Sequence, residues 1–172
     1  MLAGTRVPVN DVELDRGGKG GMEMSDATLD LTDERREAVL ASFARQGFLR
    51  AMGARIVALA AGRCVIELPF GEGVSQQHGF FHGGAIGTLA DTAGGYAAMT
   101  LMPDRADVLT LEYKINFLRP ASGDALVAEG EVLRAGRSVS VTRVNVYARE
   151  GEGRILCAAV QQSIMRAASR GG

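Results

Sequence analysis

At 172 residues, 47% hydrophobic and 23% charged, the chain suits one globular domain and is too short for two well-filled cores. A formal net charge of -1 gives no global pull toward nucleic acid or an anionic membrane, so any anionic ligand must be held by local arginines. With no apolar run of about 18 residues and no apolar secretory core near the N-terminus, neither a membrane span nor an export signal is expected, and a cytoplasmic location follows.

Residues 1–30 mix acids, bases and the run DRGGKGG without periodicity and read as a flexible tail, within which Met22 or Met24 could be the natural start. The domain is expected over residues 31–168, with a short C-terminal tail at 169–172. A helix begins near Leu31-Thr32-Asp33-Glu34 with Thr32 as N-cap. Ala38, Val39, Phe43 and Phe48 mark its apolar side, which should cover one end of the core. Two strands follow, Ala54 to Ala60 and Arg63 to Phe70, joined at Ala61-Gly62. Gly84 to Met102 is a helix by its alanine and leucine content, closed by Pro103. Four strand-like runs complete the chain: Val108 to Leu118, Ala125 to Arg134, Ser138 to Arg149 and Arg154 to Met165. The short turns between them imply antiparallel neighbours. Cys64 and Cys157 fall inside apolar strands and read as buried, reduced thiols. The fold class is therefore α+β. Because the long helix carries almost no charge, it should be buried by a curved antiparallel sheet of about six strands wrapped around it.

One charge does sit in that helix. Gly84, Gly87, Thr88, Asp91, Gly94, Gly95 and Ala98 recur at helical spacing and should share a face, with Ile86, Leu89, Ala90, Ala93, Ala97 and Leu101 on the core side. Asp91 fits either a structural acid that holds backbone or hydroxyl groups, or a catalytic carboxylate. The glycine pair at Gly83-Gly84 opens the helix, where free N–H groups and the positive end of the helix dipole suit an oxygen gaining negative charge, such as a thioester carbonyl under attack. Eight residues separate Gly83 from Asp91, and at about 1.5 Å per residue the two stand roughly 12 Å apart, too far to act on one carbonyl. If both act, the acid must come from a second copy across a twofold axis, and the protein is a homodimer.

The two histidines, His78 and His82, lack a third ligand nearby and read as loop residues, with His82 fixing the loop shape. No metal and no cofactor is called for. A Gly-x-Ser-x-Gly turn is missing, which argues against a serine triad. Gln76 offers an amide that could donate to a carbonyl or orient water.

The loop from Gln76 through His82-Gly83-Gly84, followed by Leu89-Ala90-Asp91, resembles the hot dog fold acyl-CoA thioesterases of the phenylacetate-degradation, PaaI-like group, over about residues 50 to 166. The resemblance implies a site made of Gln76, six residues before His82, the first glycine Gly83, and Asp91, nine residues after His82. It further implies that Thr110 helps place water, while Gly95 stands where some relatives carry a threonine. The implied substrate is an acyl-CoA with an aromatic or medium-chain acyl group. Phe80, Phe81, Met99 and the small residues Gly84 and Gly95 would line its pocket, and Arg119, Arg134, Arg137 and Arg143 could reach the CoA phosphates. Dimers of this fold often pair into tetramers, so a homotetramer is expected. The rival reading is a non-catalytic acyl-CoA binding module on the same fold, which would need no acid at position 91. A hot dog dehydratase fits less well, because no hydratase motif is seen.

Overall fold

The computed structural model describes residues 31–103 and 106–168; the expected tails and the alternative starts at Met22 and Met24 lie outside them. Helix α1 (Asp33–Ala44) starts as expected, with Thr32 Oγ1 accepting from Arg35 N at 3.2 Å. The chain then turns at Arg45-Gln46 and forms a second short helix, α2 (Gly47–Met52), ended by Gly53 at a φ of 79°. The break re-aims the second segment, so Val39 and Leu49 are buried and Phe43 meets Tyr96 edge-on, whereas Ala38 and Phe48 are exposed.

Six strands form one antiparallel sheet: β1 (Arg55–Ala60), β2 (Arg63–Pro69), β3 (Ala106–Phe117), β4 (Ala125–Arg134), β5 (Val139–Glu150) and β6 (Gly153–Ala168). The β1–β2 hairpin turns at Gly62, whose φ of 71° is the left-handed value such a turn requires. The strand order β1-β2-β4-β5-β6-β3 corrects one expectation. β3 does not pair with β4 but crosses to the far edge and bonds to β6. The segment between β3 and β4 is a crossing link. Ala121 O accepts from Phe81 N at 2.9 Å and Asp124 O from Phe70 N at 2.8 Å, which ties the link to the loop ahead of the long helix.

That helix, α3 (Gly83–Met99), lies against β2, β3, β4, β5 and β6. Its core side is as expected, with Ile86, Leu89, Ala90, Ala93 and Ala97 buried, although Leu101 is only half-buried. It ends three residues before the expected Met102. Thr100 Oγ1 accepts from Gly62 N at 2.7 Å and donates to Ala97 O at 2.6 Å, and the chain then tightens, Leu101 N bonding Ala98 O at 3.1 Å. No described helix is long and apolar enough to cross a membrane.

The small residues of α3 do not form one face toward one neighbour. A Cβ on Gly83 would lie 3.3 Å from Phe117 Cζ, and one on Gly87 would lie 3.4 Å from Tyr113 Oη, so these glycines face β3. One on Gly94 would meet Gln162 and Thr142 on β6 and β5, while Gly84 is exposed. A backbone approach is made from the sheet: a Cβ on Gly130 of β4 would stand 2.6 Å from the carbonyl of Ala93, in the helix backbone. Backbone cannot swing aside as a side chain can. Gly130→Ala should therefore lower unfolding stability by about 3 kcal/mol in urea melts.

Candidate active site

Before α3 the chain is held by its own backbone: Gln76 N donates to Phe80 O at 2.8 Å, Gly79 N to Gln76 O at 3.0 Å, and His82 N to Val74 O at 2.9 Å. His82 is the N-cap of the helix, its Nδ1 accepting from Gly84 N at 2.9 Å. An accepting Nδ1 places the proton of the neutral ring on Nε2. Ala85 N and Ile86 N both donate to His82 O, at 2.9 and 3.1 Å. The N–H of Gly83 is left as the donor at the helix start without an acceptor among the described residues.

Gln76 adds a second donor beside it. Its Oε1 accepts from His78 N at 2.7 Å, which identifies that atom as the oxygen and leaves Nε2 a donor with no acceptor among the described residues. Gln76 and Gly83 line one cavity of about 520 Å³ together with Phe80, Phe117, Leu118 and Arg119. Phe81 also borders it, though its ring is buried edge-on against Phe70. Arg119 is exposed and donates to Leu156 O at 3.2 Å. Phe117 and Leu118 are lining residues that the sequence did not single out; Phe117 ends β3 and Leu118 follows it, and β3 was expected to pair with β4 and not to cross to β6.

Asp91 sits two turns further along, half-buried, and opens into a different cavity of about 280 Å³. Its Oδ1 accepts from Thr110 Oγ1 at 2.6 Å, which brings together two of the residues named as site candidates from the resemblance. A register slip in β3 lets them meet. Thr110 pairs with Ile164 and Glu112 with Ser163, leaving Leu111 as a bulge. Thr110 therefore faces α3, as do Tyr113 and Phe117 past the bulge. Gly95 and Met99 line the Asp91 cavity as expected, and Ser42, Gln46 and Tyr96 join them, carried in by α1, the turn after it, and α3. Gln46 Nε2 donates to Tyr96 Oη at 2.7 Å and Tyr96 Oη to Ser42 Oγ at 3.2 Å. Spacing alone gave no signal for these contacts between distant segments.

Other candidates fall elsewhere. Arg134 and Arg137 are exposed at the β4–β5 turn, by register at the sheet end where β3 begins, and do not line the Gly83 cavity. Arg143 pairs with Glu131 on neighbouring strands. Cys64 and Cys157 are free and buried; burial pushes the Cys64 thiol up to about 12 and raises Cys157 as well, so neither is a ready nucleophile. Among the described residues no three His, Cys, Asp or Glu side chains gather as a metal site.

The edge strand β3 completes the picture. Its outer edge is unpaired among the described residues, and Leu109, Leu111, Tyr113 and Phe117 are all about half exposed.

Comparison with known proteins places this arrangement. Residues 78–155 match the model of the thioesterase superfamily. An esterase-like protein of Saccharolobus solfataricus is 38% identical over 98 residues, covering 57% of this chain and 69% of that one. A 1,4-dihydroxy-2-naphthoyl-CoA hydrolase of Listeria monocytogenes is 31% identical over 101 residues, 58% of this chain and 81% of that protein. Among solved structures, a thioesterase family protein of Silicibacter pomeroyi superposes with a TM-score of 0.76 at 38% identity, covering 78% of this chain and 98% of that one. The PaaI protein of E. coli shares the fold, with a TM-score of 0.72 at 23% identity over 81% of this chain and 97% of its own. An open six-stranded antiparallel sheet against one long helix fits these relatives: the chain belongs to the thioesterase superfamily, as a PaaI-like hot dog thioester hydrolase.

Proposed function

We propose that this protein hydrolyses an acyl-CoA thioester to the free acid and CoA in a site built from two copies of the chain. The observation that carries the reading is the separation of the two halves. Gly83 and Asp91 stand on one unbroken helix and open into different cavities, about 12 Å apart along its axis. Two such helices side by side and antiparallel would bring the Gly83 cavity of one copy to the Asp91 of the other. The exposed edge of β3, flanked by apolar side chains, supports that pairing as the dimer contact. A further pairing of dimers into a tetramer is the arrangement the resemblance favours.

In this site the thioester oxygen accepts from Gly83 N–H and Gln76 Nε2, a reading supported by both residues lining one cavity with those donors lacking an acceptor among the described residues. Asp91 of the other copy, oriented by Thr110, either takes a proton from water as that water attacks or attacks the carbonyl itself. The tetrahedral intermediate then collapses, the C–S bond breaks, and CoA leaves as a thiolate that takes a proton from solvent or, where Asp91 acted as base, from Asp91; where Asp91 itself attacked, water then hydrolyses the acyl–Asp91 anhydride to release the acid. His82 supports the loop through its cap on Gly84. The acyl group takes the space beside Gly95 and Met99, with Phe80 and Phe81 near the carbonyl and Gly84 at the open rim. Arg119 stands beside the Gly83 cavity as a phosphate partner. The antiparallel pairing would also swing Arg134 and Arg137 of the second copy toward that end.

Thiol release from a panel of aromatic, short and medium-chain acyl-CoAs tests the reading. Turnover of at least one member is expected, and the pattern names the acyl class. Tight binding of the panel with no thiol released would instead make the protein an acyl-CoA binding module.

A further inference from the structure

Beneath α3, at the turn that carries Asp91, lies a polar pair the proposed chemistry does not use. Gln162 of β6 is 2% exposed and Thr142, its cross-strand neighbour on β5, is fully buried. Gln162 Nε2 donates to the backbone carbonyl of Asp91 at 3.0 Å. Only that end of the amide is satisfied. Gln162 Oε1 and Thr142 Oγ1 have no partner among the described residues, which is a cost in any fold, since each gave up its water on burial. The helix is shaped to admit them. A Cβ at Gly94 would stand 2.3 Å from Gln162 Nε2 and 2.7 Å from Thr142 Oγ1, so glycine is the residue that leaves Gln162 room to reach the carbonyl.

Glycines at 94 and 95 also weaken the helix directly after the acid, where Asp91 O should receive the N–H of Gly95. A second donor on the same carbonyl restores stiffness at that point. Thr110 meanwhile holds the carboxylate from β3.

We propose that Gln162 is a positioning residue for Asp91, fixing the turn of α3 so that the carboxylate meets a substrate held mainly by the other copy. Its buried amide is then a sacrifice of stability for alignment. The inference rests on the catalytic reading of Asp91.

The test is Gln162→Met, which keeps volume and removes the amide, compared with Thr142→Val, which removes the unpartnered hydroxyl without touching Asp91. Gln162→Met should melt no lower than the wild type while kcat falls about 10- to 100-fold with KM unchanged, as a small misplacement of a reacting group does. Thr142→Val should likewise melt no lower, with kcat intact. A Gln162→Met protein that turns over at the wild-type rate overturns the proposal. So does one that fails to fold, because the amide would then be a structural necessity. Asp91→Ala separates the two levels of failure: if it keeps full turnover, the reading of the site fails and takes this proposal with it. If Asp91→Ala is inactive and Gln162→Met is not impaired, only the role of Gln162 falls.

Discussion

Asp91→Ala should lower thiol release by about 100- to 10,000-fold, the range in which a positioned acid or base contributes to catalysis, while leaving a folded protein of unchanged oligomeric size. The fold has little stake in this carboxylate. Asp91 is half-buried, and among the described residues its carboxylate accepts a single hydrogen bond, from Thr110, an exposed residue whose hydroxyl can turn to water. Alanine is also the better helix former, so the helix itself loses nothing. The backbone carbonyl that Gln162 holds stays in place. A thermal melt within a few degrees of the wild type, together with lost turnover, is the expected pair of results. A variant that melts far lower would return Asp91 to a structural role.

Gly83→Pro should cost turnover almost as much, about 100- to 1,000-fold, the loss seen when one oxyanion donor is removed. Proline deletes the N–H and leaves the helix intact, because position 83 is the first helical residue, where proline is well tolerated. The residue before it is suited too: His82 has a ψ of 138°, in the extended region a proline demands of its predecessor. Gly83→Ala provides the comparison. Its added Cβ would come within 3.3 Å of Phe117 Cζ, and that half-exposed ring can move by a few tenths of an ångström. With its N–H retained, Gly83→Ala should keep most of its activity. Equal losses in both variants would point to crowding at Phe117 in place of a lost donor.

What could be read from the chain, and what could not, divides by the range of the interaction. The span of α3 was legible because alanine, leucine and the helix-stopping Pro103 act locally, and Thr32 announced the first cap in the same way. The hairpin at Gly62 declared itself through a turn glycine. Contacts between distant segments were not legible. Arg119 to Gly123 looks like a hairpin turn, and nothing nearby says that β3 bonds to β6 across the molecule. The end of α3 at Met99 depends on a hydroxyl of Thr100 recruited by Gly62, which is remote in sequence. Much of the candidate site was visible as fixed spacing from Gln76 to Asp91. Its surroundings were not: Tyr96, Ser42 and Gln46 meet only after folding, and Gln162 looks like any strand residue until it is seen under the helix.

The central claim is that one working site takes Gly83 from one copy and Asp91 from another, and mixing two inactive proteins tests it most directly. Asp91→Ala and Gly83→Pro should be co-expressed with separate tags, and the mixed dimers assayed beside each parent. In a mixed dimer one site carries both defects and the other carries neither, so a random one-to-one population should recover about a quarter of the wild-type rate. A mixture no more active than its parents, with mixed dimers shown to be present, would contradict the shared site.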